Sequence, residues 1–477
     1  MKSPPKKTRI AFVGLGYVGL STAVCLASRG FRVLGVDTDK NKITAVESGS
    51  SPIHEDGLGP LLSSSVRRKL LRVTSDYDCL SESDVIFITV GTPSREDGVI
   101  DTRFVEAASR EIGRQLSSDR RYRLVVVKST VTPGTTENLV RPILERESGK
   151  KVGREIGLAS NPEFLHEGSA IHETLHPEAI VIGGHDRKST GALVKLYKSF
   201  YRTLPPTIQT TPSNAEMMKY AINAGRASQL SFVNTIANLC TRIPGCDYDE
   251  VRKGLSIVAR MDERYLTAGL GFGGSCLPKD GRALAALLRA EAIDDEVVAA
   301  ALRVNHGQVN EAIGLAVKLC GPLSGKRVAV LGLAFKAGTD DARESVSINL
   351  VRNLIKAGAS VSVFDPAAME NARTLLGSEV GYAKSARDCL KRSECAFVAT
   401  GWGAFRSLKP TDFKTLMASP VVIDGRRLYD QGQFRKAGVR IETIGTGPSP
   451  AKTPKEGLGD PLRKPYYFSS SFSTESP

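Results

Sequence analysis

Over roughly the first 200 residues, short β-branched runs alternate with segments carrying Ala, Leu, Glu and Arg at helical spacing. RIAFVGLG, RVLGVDTD, DVIFITVG, RLVVVKST, IGLASNP and AIVIGG read as strands. Apolar strands separated by helical segments are the pattern of a mainly parallel sheet covered on both faces. From about Pro212 the strands stop. SNAEMMKYAINAGRASQLSFVNTIANLCTRI reads as one long amphipathic helix, with Ser213 or Asn214 as its N-cap. Near Lys326 the alternation returns in KRVAVLGLAF, SVSVFDP, CAFVATGW and PVVIDGRR. The expected fold class is therefore α/β, with two doubly wound units at residues 1–211 and 321–446 and a central long-helix unit at 212–320. Residues 447–477, rich in Pro, Ser, Gly and Lys, are expected to be a disordered tail.

A chain of 477 residues is too long for one ordinary domain, and 41% hydrophobic with 24% charged residues is a soluble, core-forming composition. The net charge of +14 changes the picture only modestly. It suits small polyanions such as nucleotides, and no zinc-finger spacing or aromatic-interleaved basic patch points to nucleic acid. The eight cysteines are scattered singly, without a C-x-x-C, which predicts a reduced, cytoplasmic protein. The basic start followed by the uncharged stretch from Ile10 to Ser28 imitates a signal peptide or membrane span. Three glycines break that stretch, so no membrane association is expected.

Those glycines, Gly14, Gly16 and Gly19, form G-x-G-x-x-G between a strand and a helix that starts at Tyr17, and the next strand ends in Asp37. This context makes the first unit Rossmann-like. The glycines allow a tight turn and close approach of a pyrophosphate to a helix N-terminus. Asp37 would accept from ribose hydroxyls and repel a 2′-phosphate, so NAD is the expected cofactor.

HETLH at 172–176 matches the zinc-protease pattern, with His172 and His176 as ligands and Glu173 as base. Pro177 disfavours helical geometry at His176 and no third ligand has usable spacing, so no metal is expected. GFGGSCLPKD at 271–280 carries more information. Pro278 suits the first turn of a helix, which places Cys276 at a helix N-terminus beside Lys279. Both features would lower the thiol pKa. Cys276 is then either a nucleophile or a small residue in a tight turn, and local context leaves both open. Lys219 and Asn223 share one face of the long helix. A nicotinamide cofactor plus a cysteine nucleophile suggests a four-electron oxidation. The first hydride transfer turns an alcohol into an aldehyde, and thiolate addition makes that carbon tetrahedral so that a second hydride can leave.

From about residue 8 to 445 the chain resembles the UDP-glucose/GDP-mannose dehydrogenase family. The resemblance rests on GLGYVG, VGTPSREDG, KSTVTPGTT, NPEFLHEGSAI, NAEMMKYAINA, GFGGSCLPKD, GLAFKAGTDDARES, VFDP and DGR, in the family's order. It implies NAD-dependent oxidation of a nucleotide sugar, with UDP-glucose as expected substrate and GDP-mannose or a UDP-N-acetylhexosamine as alternatives. It implies Cys276 as nucleophile, Lys219 and Asp280 at the water and alkoxide, Asn223 as oxyanion donor, and Glu163 and Thr130 completing the catalytic set. NAD would meet Gly14, Gly16, Tyr17, Val18, Gly19, Asp37, Lys42, Thr92, Thr130, Glu167, Lys279 and Arg343. The nucleotide sugar would meet Glu163, Phe164, Leu165, Glu167, Lys219, Asn223, Tyr265, Leu266, Gly273, Phe335, Lys336 and Arg426, with Arg260 reaching a neighbouring subunit's substrate. The central helix would form a homodimer or a higher homo-oligomer. Three departures stand out: Arg260-Met261-Asp262 where most relatives read R-I-G, Arg427 where many have Asn, and Ser275 where the N-acetylated-sugar branch has His. The rival readings are a two-electron hydroxyacid-type dehydrogenase, which would not need Cys276, and a non-catalytic nucleotide-binding protein.

Overall fold

The computed structural model describes residues 8–448. The first unit is one sheet of strands β1 (Arg9–Val13), β2 (Arg32–Val36), β3 (Leu71–Thr74), β4 (Val85–Ile88), β5 (Arg123–Val127), β6 (Ile156–Ser160), β7 (Ile180–Gly184) and β8 (Thr207–Thr210). Their spatial order is β3-β2-β1-β4-β5-β6-β7-β8. All neighbours are parallel except β6 and β7. The chain lays strands to one side of β1 and then crosses to β4 on the other. That reversal opens a crevice at the carboxyl ends of β1 and β4, where ligands bind in such sheets. Phe12 and Phe87 stack across the two strands with ring centroids 4.9 Å apart, adding about 0.5–1.5 kcal/mol to the burial of both rings.

Sequence patterning did not register β3 or β8. Both are edge strands, and β8 (TIQT) leaves Ile208 exposed, so neither forms the continuous apolar run of a strand covered on both faces.

The glycine turn leads into α1 (Tyr17–Ser28), and a short helix α2 (Ala170–Leu175) lies between β6 and β7. The central unit is built on α3 (Pro212–Cys240), followed by α4 (Tyr248–Ile257), α5 (Leu277–Ala290) and α6 (Glu296–Cys320). The N-cap of α3 is Thr211, whose hydroxyl accepts from Asn214 N, and not Ser213 or Asn214. Pro212 occupies the first helical position, where its missing N–H costs nothing, which moves the start upstream.

The third unit is an all-parallel sheet of β9 (Arg327–Leu331), β10 (Ser360–Phe364), β11 (Gly381–Tyr382), β12 (Cys395–Val398), β13 (Val421–Asp424) and β14 (Arg440–Glu442), in the order β11-β10-β9-β12-β13-β14. Its core is continuous with the central helices: Val233 and Ala237 of α3 and Val309 and Ala316 of α6 share one buried cluster with Val328, Val330 and Ile423. Gly447 donates to Cys246 O and Gly245 to Pro448 O, so the first residues assigned to the tail are tied to the central unit. The rest of the expected tail lies outside the described residues.

Candidate active site

The glycine loop is held by packing on two sides and open on the third. Gly14 has φ +99°, and a Cβ there would lie 2.6 Å from Thr89 O. A Cβ on Gly19 would lie 2.0 Å from Gly14 O, whereas one on Gly16 would meet nothing within 4 Å. Gly16 caps α1 without any side-chain hydrogen bond, which leaves the first N–H groups of the helix facing the open side. Asp37 is buried at the end of β2 and accepts from Leu15 N (2.7 Å) and Asp39 N (2.9 Å). Lys42 Nζ stands 3.6 Å from its carboxylate. An uncapped helix start, an open glycine and an acid in register fit a dinucleotide diphosphate and ribose. Val18 is half-buried in the first turn of α1. Thr92 and Thr130 meet at the ends of β4 and β5, with Thr92 Oγ1 donating to Thr130 O at 2.8 Å.

Tyr17 reaches from the glycine loop to the third unit, where its hydroxyl donates to Asp340 Oδ1 (3.0 Å). Nearby, Arg343 pairs with Asp341 and approaches Glu167 at 3.6 Å. Burial and the neighbouring Asp341 push the Glu167 carboxyl up to about 7.

Behind the loop, the segment after β6 is pinned at Asn161. Its Oδ1 accepts from buried Lys128 (3.1 Å) and from Tyr197, and its Nδ2 donates to Val181 O (2.7 Å). Two residues on, Glu163 accepts from Lys219 Nζ at 3.0 Å and from Leu165 N at 2.6 Å. Burial alone would raise the Glu163 carboxyl. Lys219, the Leu165 N–H and Lys128 outweigh it and hold the group below its usual value. Burial likewise works against the Lys219 cation, but Glu163, Cys276 and Asp280 hold its pKa above the ordinary value. The pair is ionised on both sides.

Cys276 is the N-cap residue of α5, as expected, with Asp280 N donating to its carbonyl at 2.8 Å. The expected fall in its pKa is not what the structure gives. The sulfur is open to a cleft but sits deep within it, and loss of solvent pushes the thiol up despite the opposing effect of Lys219. Lys279 donates to Asp280 Oδ1 (2.6 Å), and Asn223 Nδ2 donates to Asp280 Oδ2 (2.6 Å). The preceding glycines serve close packing: a Cβ on Gly273 would lie 2.3 Å from Glu344 O, and one on Gly274 (φ +84°) 2.7 Å from the Phe335 ring.

These elements enclose a cavity of about 330 Å³ between the three units. Phe164, Leu165, Glu167, Lys219, Asn223, Tyr265, Gly273, Cys276, Phe335, Lys336 and Arg426 line it. Arg426 donates to Ala399 O (2.7 Å) and Gly271 O (3.2 Å), while its buried Nη2 has no partner among the described residues. Burial brings this guanidinium down to about 10, so an anion in the cavity would be bound strongly. Leu266 is a correction: its side chain is fully buried in the central core, and its carbonyl accepts from Tyr248 Oη (3.0 Å). Arg260 is exposed, in a left-handed turn (φ +53°), and does not line the cavity. Glu163 sits behind Lys219, against a neighbouring cavity.

Sequence reasoning missed Arg226 and Asn234, which line the same cavity. They continue the face of Lys219 and Asn223 along α3, and helical periodicity extended past one turn would have found them. It also missed His166, whose ring bonds Tyr265 Oη (3.1 Å) and Glu173 Oε1 (2.8 Å).

That second contact occupies the glutamate of the HETLH motif. His172 and Glu173 lie on α2, but Glu173 is engaged by His166 and Ser169, and His176 follows the last helical residue with φ −137°. Among the described residues no group of three or more His, Cys, Asp or Glu could hold a metal ion. Among them, too, no helix is long and apolar enough to cross a membrane.

Family models match along the chain: the UDP-glucose/GDP-mannose dehydrogenase NAD-binding domain at 8–201, the central domain at 213–307 and the UDP-binding domain at 329–431. A UDP-glucose 6-dehydrogenase of Haloferax volcanii is 40% identical, over 91% of this chain and 99% of its own. The solved UDP-glucose dehydrogenase of Pyrobaculum islandicum is 37% identical with a TM-score of 0.86, covering 93% of this chain and 99% of its own. A UDP-D-ManNAc dehydrogenase of Pyrococcus horikoshii is 29% identical with a TM-score of 0.81, over 92% and 99%. Matched by the models of all three domains, the chain belongs to the UDP-glucose/GDP-mannose dehydrogenase family, whose first domain binds NAD.

Proposed function

We propose that the protein oxidises the C6 alcohol of UDP-glucose to the carboxylate, giving UDP-glucuronate and consuming two NAD per sugar. One observation carries the reading: Cys276 shares one cavity with the Lys219 cation, Asn223 and the Nη2 of Arg426, which has no partner among the described residues. A thiol, an alkoxide stabiliser and an anion site are what four-electron oxidation of a nucleotide sugar requires.

When bound, NAD supplies the acceptor for the two electrons released in each oxidation. The glycine loop, Asp37 and Lys42 hold it. Lys219 and Asn223 donate to the oxygen on the reacting carbon. Cys276 adds its sulfur to the aldehyde carbon, which becomes a tetrahedral thiohemiacetal that can be oxidised again. The resulting thioester is cleaved by water to the acid and the free thiol, with Glu163, ionised behind Lys219, as the final acceptor of the water proton. Asp280 orients Asn223 and Lys279, and Thr130 closes the cofactor side with Thr92. Lys336 and Arg426 meet the diphosphate.

A second copy completes the enzyme in this reading. Phe232 and Leu239 of α3, and Ile257 and Val258 at the end of α4, are large apolar side chains left exposed, which suits a homodimer along the central helix. A Phe232→Asp variant that sediments with the same mass as the parent would refute that arrangement. The reading also places the enzyme in the cytoplasm, where nucleotide sugars and NAD are available.

The deciding assay offers UDP-glucose, GDP-mannose and UDP-N-acetylhexosamines and follows NADH. Two NADH per UDP-glucose, with little turnover of the others, is expected. Ser275, where the N-acetylated-sugar branch has His, favours the unsubstituted sugar despite the Pyrococcus relative. Preferential turnover of a UDP-N-acetylhexosamine would overturn the assignment.

A further inference from the structure

Arg427 does not line the cavity. It follows Arg426 at the end of β13 with φ +52°, a conformation that residues other than Gly and Asn rarely adopt. The kink sends the two neighbouring guanidinium groups in different directions. Arg426 enters the cavity. Arg427 turns toward the start of α4, where Nη2 and Nε donate to Asp249 Oδ2 (2.6 and 3.1 Å) and Nη2 also to Asp247 Oδ1 (3.2 Å). Its Nη1 donates to Ile444 O at 2.6 Å, and the side chain is only 11% exposed.

Asp247 is itself the N-cap of α4, accepting from Asp249 N at 2.7 Å, so the arginine grips a rigid helix start. The contact joins the third unit to the central unit immediately behind the anion-binding arginine. The cavity wall opposite is central-unit backbone: Arg426 Nη1 donates to Gly271 O, and a Cβ on Gly269 would lie 2.4 Å from Gly425 O. A small shift of β13 against α4 therefore moves the guanidinium relative to the wall it helps to form.

We infer that Arg427 is a positioning residue for the nucleotide sugar: by latching the end of β13 to Asp247 and Asp249 it sets where Arg426 meets the substrate's phosphates. The inference rests on the reading of the cavity as the nucleotide-sugar site. Arg427 touches neither substrate nor cofactor, so its influence falls on substrate affinity more than on the chemical step. Two guanidinium donors converge on one Asp249 oxygen while a contact also reaches Asp247, a spread that a single ammonium cannot match, so lysine should replace this arginine incompletely.

The test uses the full-length enzyme with R427N, which tolerates the left-handed backbone while removing the latch, and D249N as an independent break of the same contact. Both should raise KM for UDP-glucose about tenfold, with kcat within about twofold and KM for NAD unchanged. R427K should recover part of the loss, and R427D combined with D249R should recover more than either single change. Unchanged KM for UDP-glucose in R427N and D249N, or an equal rise in both KM values, would overturn the inference. Calorimetric binding of UDP separates the two readings. If the parent enzyme neither binds UDP nor oxidises UDP-glucose, the assignment of the cavity fails. If the parent does both and the variants match it, the latch alone fails.

Discussion

Lys219 Nζ donates to the backbone carbonyl of Glu163 at 2.7 Å and to its carboxylate at 3.0 Å, with both side chains nearly inaccessible to solvent. The double contact ties the long central helix to the loop after β6 and places a fixed cation beside the thiol. Removing one partner strands the other as a buried charge, which costs about 3–5 kcal/mol. Lys219→Ala should therefore lower both Tm and kcat, the latter by about 100-fold or more. Glu163→Gln keeps a neutral acceptor for the cation and should mainly slow hydrolysis. Rapid mixing should then show a burst of about two NADH per active site, followed by a slow phase, with an acyl adduct on Cys276 visible by mass spectrometry. A steady linear trace without adduct would remove Glu163 from the hydrolytic step.

The thiol that carries the adduct, set deep in its cleft, is less acidic than a free cysteine. Burial raises Cys276, so at pH 7 less of it is thiolate than in a free thiol, and the fraction grows as pH rises. Alkylation of the ligand-free enzyme by iodoacetamide should be slow at pH 7 and accelerate into the alkaline range. Because Lys219 works to lower this pKa, Lys219→Met should move the alkylation profile further up. A profile at or below that of a free cysteine would contradict the burial argument. Cys276→Ser should yield at most one NADH per sugar.

Glu216 anchors the KSTVTPGTT loop to α3: its carboxylate accepts from Gly134 N (2.7 Å), Thr136 N (2.9 Å) and Thr136 Oγ1 (2.5 Å). Burial nevertheless dominates and raises it from 4.5 to about 7. Between those values the folded state binds more protons than the unfolded chain. This group's contribution is complete below about pH 4.5 and is lost as pH rises toward 7. Glu216→Gln should therefore flatten the fall in Tm between pH 5 and 8, as read by scanning calorimetry. A parent and variant with parallel profiles would rule this out.

Two glycines of one fingerprint should behave differently. Gly16 has open space on its Cβ side, so Gly16→Ala should fold with Tm nearly unchanged while KM for NAD rises about tenfold or more, the methyl group standing where the diphosphate approaches. A Cβ on Gly19 would lie 2.0 Å from Gly14 O, so Gly19→Ala should lower Tm as well. Equal losses of Tm in both variants would mean that the open side belongs to packing and not to cofactor.

The strand–helix alternation, the glycine turn with Asp37, and the shared face of Lys219 and Asn223 were all legible along the chain. Each depends on neighbours within a turn or two, and periodicity records such neighbours directly. Strands β3, β8, β11 and β14, each at a sheet edge, escaped because an edge strand need not be apolar throughout. Tertiary structure alone decided the rest. It buried Leu266 in the core, turned Lys279 onto Asp280, gave Arg427 its partners on α4, and raised a thiol that local context would have lowered. Burial and Coulomb interactions depend on groups far apart in sequence, such as Glu163 and Lys219, 56 positions apart. Only folding sets the distance between them.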